Sequence, residues 1–197
     1  LYSLDSNHRS LKLIMDVPHP RNRVLAALID PTNYHLWNSE VDFGNIKLRI
    51  YSENTVVAYQ KHKAFDNHFR ERDFLYIRHL FQKKGVVYMV DKSIDHSSFP
   101  PFDYITRGEV KLAVWAFEET GASLTRVTYM LHMNFGGTLG GNKSAESMIR
   151  YLIDMAKLPT YLSKNGRIAT KIDDYFNLNW GLATRVNHDN QSIFGHE

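Results

Sequence analysis

Cysteine is absent from the 197-residue chain. Disulfides, thiolate metal sites and cysteine nucleophiles are therefore excluded, while either redox compartment stays open. Long apolar runs are missing too. None approaches the roughly 20 residues a membrane-spanning helix needs, and the opening LYSLDSNHRS lacks the apolar core of a secretion signal. Basic residues form no block beyond pairs such as Lys83-Lys84. The net charge of +3 and pI near 9.0 mildly favour acidic partners, but the clustered footprint of a nucleic-acid binder is lacking. Ten histidines prompt a metal search. It fails, since there is no HExxH and His62, His68, His79 and His96 share no ligand-pair spacing on a helix; they are read as surface or strand residues, and no metal site is assigned.

Aromatic residues are present in quantity, at 13% of the chain, which suggests much apolar surface to line. The length suits one domain plus a tail. Its organising stretch is Arg72 to Ser93, RDFLYIRHLFQKKGVVYMVDKS, two β-rich runs joined by Gln82-Lys83-Lys84-Gly85 and read as a hairpin. Arg78 stands out there. It is a permanent cation among Tyr76, Ile77, Leu80 and Phe81, and such a charge must reach water, a carboxylate or an anionic ligand.

Upstream, Leu11 to Val17 reads as a strand, closed by Pro18-His19-Pro20. A short surface-packed helix with Val24, Leu25, Leu28 and Ile29 on one face follows, stopped by Pro31. Tyr34 and Trp37 fall in a further turn, and Val56 to His62 resumes strand character. Downstream, DHSSFPPFDY (Asp95 to Tyr104) is a loop, because Pro100 and Pro101 remove ladder donors. Phe99 and Phe102 make its tip a hydrophobic knob of the kind that touches a partner, a membrane or a ligand, or that folds back into the core. Ile105 to Phe117 and Leu124 to Phe135 are alternating strands joined at Gly121. No helix separates the later strands, so a continuous antiparallel sheet is expected.

Lys143 to Leu158 is the strongest helix, with Ala145, Met148, Ile149, Leu152, Met155 and Ala156 on one face, Glu146, Arg150, Asp154 and Lys157 opposite, and Asn142 as its cap. Its apolar stripe needs a sheet to cover it. Pro159 ends or kinks it, and a second helical piece runs to Asn165-Gly166. Beyond lies a tail whose DYFNLNWGL offers aromatic anchors.

FGGTLGGNKS (Phe135 to Ser144) resembles a phosphate-binding loop, but Asn142 stands where the lysine should be; the glycines are read as a flexible strand-to-helix joint. No G-x-S-x-G elbow appears. Asp91, Glu109 and His132 are candidates for acid-base chemistry if a cavity brings them together, and otherwise surface members of strands.

RDFLYIR, VYMVDKSIDHSSFPP, TRGEV and TRVTYMLHMNFGG, in that order, resemble the START (StAR-related lipid-transfer) domain family over about Leu11 to Asn165. Asn134 and Gly140 depart from its common aspartate and proline. The resemblance implies an α+β helix-grip fold: a curved antiparallel sheet wrapped around a long C-terminal α-helix, with an internal lipid tunnel. Residues 1–165 would form this domain, with the family's first helix and strand missing, and 166–197 a C-terminal extension. It implies a non-enzymatic carrier of one lipid. Phospholipid, above all phosphatidylcholine, is the expected cargo, since RDFLYIR is similar to the phosphatidylcholine-transfer branch; a sterol, ceramide, a lipid-sensor role or a grip-fold enzyme on an aromatic substrate are the alternatives. Arg78 would meet the lipid phosphate, with Gln60 the second polar residue. Tyr76, Tyr88, Trp115 and Tyr129 would contact chains or a choline-like cation, or else pack as ordinary core. Met148, Leu152 and Met155, with the Phe99, Pro100, Pro101 and Phe102 loop, would form a lid that meets the membrane. The expected partners are a phospholipid and, transiently, a membrane surface, with no nucleic acid and no cofactor, for a soluble, membrane-peripheral monomer.

Overall fold

The computed structural model describes residues 2–5, 8–29, 31–42, 46–52, 54–64, 70–137 and 141–164. In chain order these form β1 (Tyr2–Asp5), β2 (His8–Val17), α1 (Arg21–Ile29), a 3₁₀ turn (Pro31–Leu36), β3 (Ile46–Ser52), β4 (Thr55–His62), β5 (Arg72–Lys83), β6 (Val86–Ser93), β7 (Thr106–Arg107), β8 (Glu109–Gly121), β9 (Leu124–Asn134), α2 (Gly141–Met155) and α3 (Leu158–Lys164). The sheet runs β1-β2-β9-β8-β6-β5-β4-β3 and is antiparallel except where β7 pairs parallel with β5. The expected grip is there: one sheet with α1 and α2 packed into a single core against it. The tail from residue 165, DYFNLNWGL included, lies outside the described residues.

The central hairpin turns on two residues rather than four. Lys84 (φ 50°) and Gly85 (φ 80°) both sit in the left-handed region, the signature of the tight turn whose twist matches its strands. The register then runs from Lys83↔Val86 to Arg78↔Asp91. The strand expected over Ile105 to Phe117 is broken at Gly108, where a Cβ would stand 2.3 Å from Cε1 of Phe74. Chain and ring can pass only because that Cβ is missing. At the joint after β9, Gly136 has φ +69° and its absent Cβ would meet the Arg107 carbonyl at 2.5 Å, so left-handed backbone and close approach both call for glycine.

Strand alternation divides β4 and β5 between two cores. Val56, Ala58, Phe74 and Tyr76 join the main core with α1 and α2, whereas Val57, Tyr59 and Leu75 form a smaller cluster on the opposite face with Ile77, Ile94 and Phe99. α1 is not surface-packed: Val24 to Ile29 are all buried. α2 is rotated from the expected face. Tyr151 and Asp154 are buried, while Ile149 and Ala156 are exposed. The helix begins at Gly141, so Asn142 lies within its first turn instead of capping it.

Candidate functional site

Between the sheet and α2 lies a small polar island. Arg78 and Asp91 face each other across the hairpin ladder, on positions that alternate with Ile77 and Val90. Arg78 Nε donates to Asp91 Oδ1 at 2.7 Å and Nη2 to Oδ2 at 2.8 Å, a two-pronged pair that is almost fully buried. Nη1 donates to the carbonyls of Leu28 and Ile29, both at 2.9 Å. These are end-of-helix carbonyls of α1, where a cation is favoured by the partial negative charge. The rings of Tyr76 and Tyr34 flank the guanidinium, with centroids 5.4 and 5.7 Å from Cζ. Burial pulls against the charge, but Asp91 and the two tyrosines outweigh it and hold the arginine well above its usual pKa.

Beside the ion pair, the Tyr76 hydroxyl donates to Gln60 Oε1 at 3.1 Å, and Gln60 Nε2 donates to His62 Nε2 at 2.9 Å. Because Nε2 accepts, neutral His62 carries its proton on Nδ1. Burial alone drives its pKa down to about 3, so the ring is uncharged at neutral pH. Burial also raises the phenols of Tyr76 and Tyr129, and lifts Tyr151 to about 12 against the pull of Gln60 and Arg78. Two buried donors here, His62 Nδ1 and Trp115 Nε1, have no acceptor among the described residues.

The hollow within the island measures about 20 Å³, room for about one water molecule. It is bounded by Gln60, His62, Tyr76, Arg78, Asp91, Trp115, Tyr129 and Tyr151, among others. Among the described residues, the space expected for a lipid tunnel is therefore closed. Trp115 and Tyr129 stack with centroids 3.6 Å apart, and Tyr151 from α2 stacks on His62 at 5.2 Å, so rings occupy the space a chain would need.

Of the residues singled out from the sequence, Arg78, Gln60, Tyr76, Trp115 and Tyr129 come together around this hollow. Met148, Leu152 and Met155 are buried in the core on α2 but do not line it; Tyr151 is the α2 residue that does. Tyr88 alternates with buried Val87 and Met89, points to the other face of the sheet and stacks on Phe81 at 5.1 Å. It is not in the site. Nor does the 99–102 loop form a lid with α2. Phe99 and Phe102 lie against Tyr59, with centroids 6.5 Å away in both cases, on the face of the sheet remote from α2. Arg107 fastens that loop, gripping Asp73 at 2.9 and 3.0 Å and reaching the carbonyls of Phe99 and Pro100. Glu109 is exposed and paired with Lys111 at 2.6 Å, and His132 alternates with the cavity-lining Leu131 and Met133, so neither joins Asp91 in an acid-base centre.

His62, Tyr151 and the pairing role of Asp91 escaped the sequence reading. Two had a usable signal. Counting back from a two-residue turn at Lys84-Gly85 puts Asp91 opposite Arg78, and His62 lies two residues beyond Gln60, hence on its face of the strand.

Fold and site together define a helix-grip domain with a buried polar island beneath its last long helix. The START domain family model matches residues 2–153, and the chain belongs to the START family. Among solved structures, human STARD10 superposes with a TM-score of 0.75 at 18% identity, over 83% of this chain and 66% of that one. Human StAR-related lipid transfer protein 5 gives 0.71 at 15% identity, over 80% and 77%. The ZhuI aromatase/cyclase of Streptomyces sp. R1128 gives 0.58 at 12% identity, over 82% and 98%. At these identities the likenesses speak to the fold. No curated protein matches the chain by sequence.

Proposed function

We propose that this domain binds one lipid beneath α2, with the head group on the polar island, and carries it between membranes as a monomer peripheral to them. The observation that carries the reading is the pair of buried donors, His62 Nδ1 and Trp115 Nε1, beside a charge-balanced ion pair in a START domain. Unpaired buried donors are costly, and an oxygen-rich head group would satisfy them. With +1 on Arg78 and −1 on Asp91, the island favours a head group without net charge. An anionic head would have to leave Asp91 buried and unpaired.

Phosphatidylcholine meets that condition by splitting the pair, its phosphate on Arg78 and its trimethylammonium beside Asp91 and the tyrosine rings. The second reading is a hydroxyl or amide head, as in a sterol or ceramide. It is favoured by the saturation of the guanidinium, because such a head can bind His62 and Trp115 without disturbing the salt bridge. Either cargo requires α2 to move and the Trp115–Tyr129 stack to part. The island works by binding rather than by chemistry, its acid and base groups being spent on one another.

Native mass spectrometry of the purified chain, followed by vesicle-to-vesicle transfer of labelled phosphatidylcholine, cholesterol and ceramide, tests the reading. A bound lipid of defined mass, moved at a rate above background, is expected. Arg78→Ala should cut phosphatidylcholine transfer selectively, whereas Trp115→Phe should weigh more on a hydroxyl-headed cargo. No bound or transferred lipid of any class, or steady turnover of a small aromatic substrate instead, would overturn the carrier.

A further inference from the structure

A second concavity lies outside the grip, between the 3₁₀ turn and the C-terminal helices. It is an open groove of about 730 Å³ whose walls include Leu36, Trp37, Ile153, Tyr161 and Lys164. Leu36 stands 52% exposed there and Ile153 61%. Large apolar side chains grouped in the open mark a contact surface. Trp37 adds an independent sign. It is 4% exposed, and its indole Nε1 is a buried donor with no acceptor among the described residues. An unmet donor is costly, so the groove's occupant should bring an oxygen as well as apolar surface.

Charge does not choose that occupant. Lys157 is engaged by Asp154 at 2.5 Å and Arg150 by Glu146 at 2.9 Å. Glu40 feels Asp154, Arg150, Lys157 and Lys63 together, and its carboxyl is raised, first by burial and then by Asp154. Lys164 adds a cation at the end of α3. A face of mixed sign exerts no strong pull on a charged partner, so fit and proximity must decide.

Proximity points to the chain itself. Lys164 is a wall of the groove, and residues 174–182 start about ten positions beyond it, within a reach of about 35 Å. In that stretch Phe176, Leu178, Trp180 and Leu182 alternate with Asn177, Asn179 and Gly181. When extended, such a segment carries its apolar side chains on one edge and its amides on the other. The apolar edge suits Leu36, Ile153 and the rings of Trp37 and Tyr161, while its carbonyl oxygens offer the acceptor that Trp37 lacks. So short a tether gives an effective concentration on the order of millimolar. A contact too weak to hold a separate peptide is then enough to keep the segment seated.

We infer that the groove formed by the 3₁₀ turn with α2 and α3 is the seat of the chain's own residues 174–182, with Phe176, Leu178 and Trp180 against Leu36, Trp37 and Ile153. Seated there, the segment straps α2 and α3 to the 3₁₀ turn on the outside of the grip. The inference stands apart from the identity of the cargo.

Because the chain has no cysteine, spin labels on Thr160→Cys in the groove wall and Asn179→Cys on the polar edge report one distance in the full chain. A narrow distance shorter than the tether's reach, unchanged on dilution with unlabelled chain, is expected. Phe176→Asp with Trp180→Asp should cut that population roughly tenfold, and so should Leu36→Asp with Ile153→Asp. Circular dichroism checks that each variant is folded. A broad distribution without these substitutions overturns the inference and leaves the groove to a bilayer or another protein. A short distance that survives both pairs of substitutions in folded chains also overturns it. So does one lost on dilution with unlabelled chain, which would mean that a neighbouring copy's segment fills the groove.

Discussion

Arg78 shows how one residue can be legible in kind and illegible in use. A permanent cation in an apolar strand must find a partner, and the fold supplies Asp91 and two helix-end carbonyls. Removing one partner leaves the other stranded, so Asp91→Ala should destabilise by about 3 to 5 kcal/mol in urea unfolding. Arg78→Met with Asp91→Leu should recover much of that, because it removes both buried charges together. A double variant as unstable as the single one would show that the carbonyl bonds, not the pair, dominate. His62 makes a second prediction at this scale. Its folded pKa of about 3 lies below the ordinary 6.5, so between these values the unfolded chain binds a proton that the folded one does not. Stability from this group is complete above pH 6.5 and falls with acidification by up to about 1.4 kcal/mol per pH unit. His62→Phe should flatten that part of the profile in urea titrations from pH 7 to 4. An unchanged slope would mean that the ring is protonated in the native state.

At the scale of elements, α2 is tied to the segment after the 3₁₀ turn by a clamp near its C-terminal end. Asp154 accepts the backbone N–H of Ser39 at 2.6 Å and also its hydroxyl, and pairs with Lys157. Burial would raise this carboxyl, but Lys157 and Ser39 prevail and hold it below the usual range, so the clamp is intact above the ordinary carboxylate pKa and loosens as pH falls through the depressed one. Asp154→Ala should speed amide hydrogen exchange in α2 while leaving β8 and β9 protected. Uniform acceleration across the sheet would instead report global unfolding. The glycines give a contrast of the same kind. Gly108→Ala must displace the buried ring of Phe74 and should cost about 1 to 3 kcal/mol. Gly85→Ala meets nothing within 4 Å and suffers only its left-handed φ, so it should cost less. Equal losses in thermal unfolding would remove the steric account of Gly108.

For the whole molecule, the proposed loading with a lipid requires a change of shape, since a cavity of about 20 Å³ among the described residues cannot hold one. Trp115 sits at the point that must open, stacked on Tyr129. Its fluorescence should shift when lipid is added, with a matching rise in melting temperature as ligand binds only the folded state. Trp115→Phe should abolish most of the spectral change. A melting shift with no spectral change would place the lipid elsewhere.

What the chain determined by itself was local and periodic: the hairpin, the antiparallel succession, the amphipathic last helix, and the presence of a buried cation. These follow from residue spacing and turn chemistry, which act over a few positions. Tertiary structure decided where the periodic faces point. A modest rotation of α2 put Tyr151 and Asp154 inside and Ile149 outside, and the crossing of loop 94–105 to the far side of the sheet removed the expected lid. The size of the hollow was likewise beyond the sequence, because volume is what remains after rings from β4, β5, β8, β9 and α2 have met. No single segment encodes that remainder.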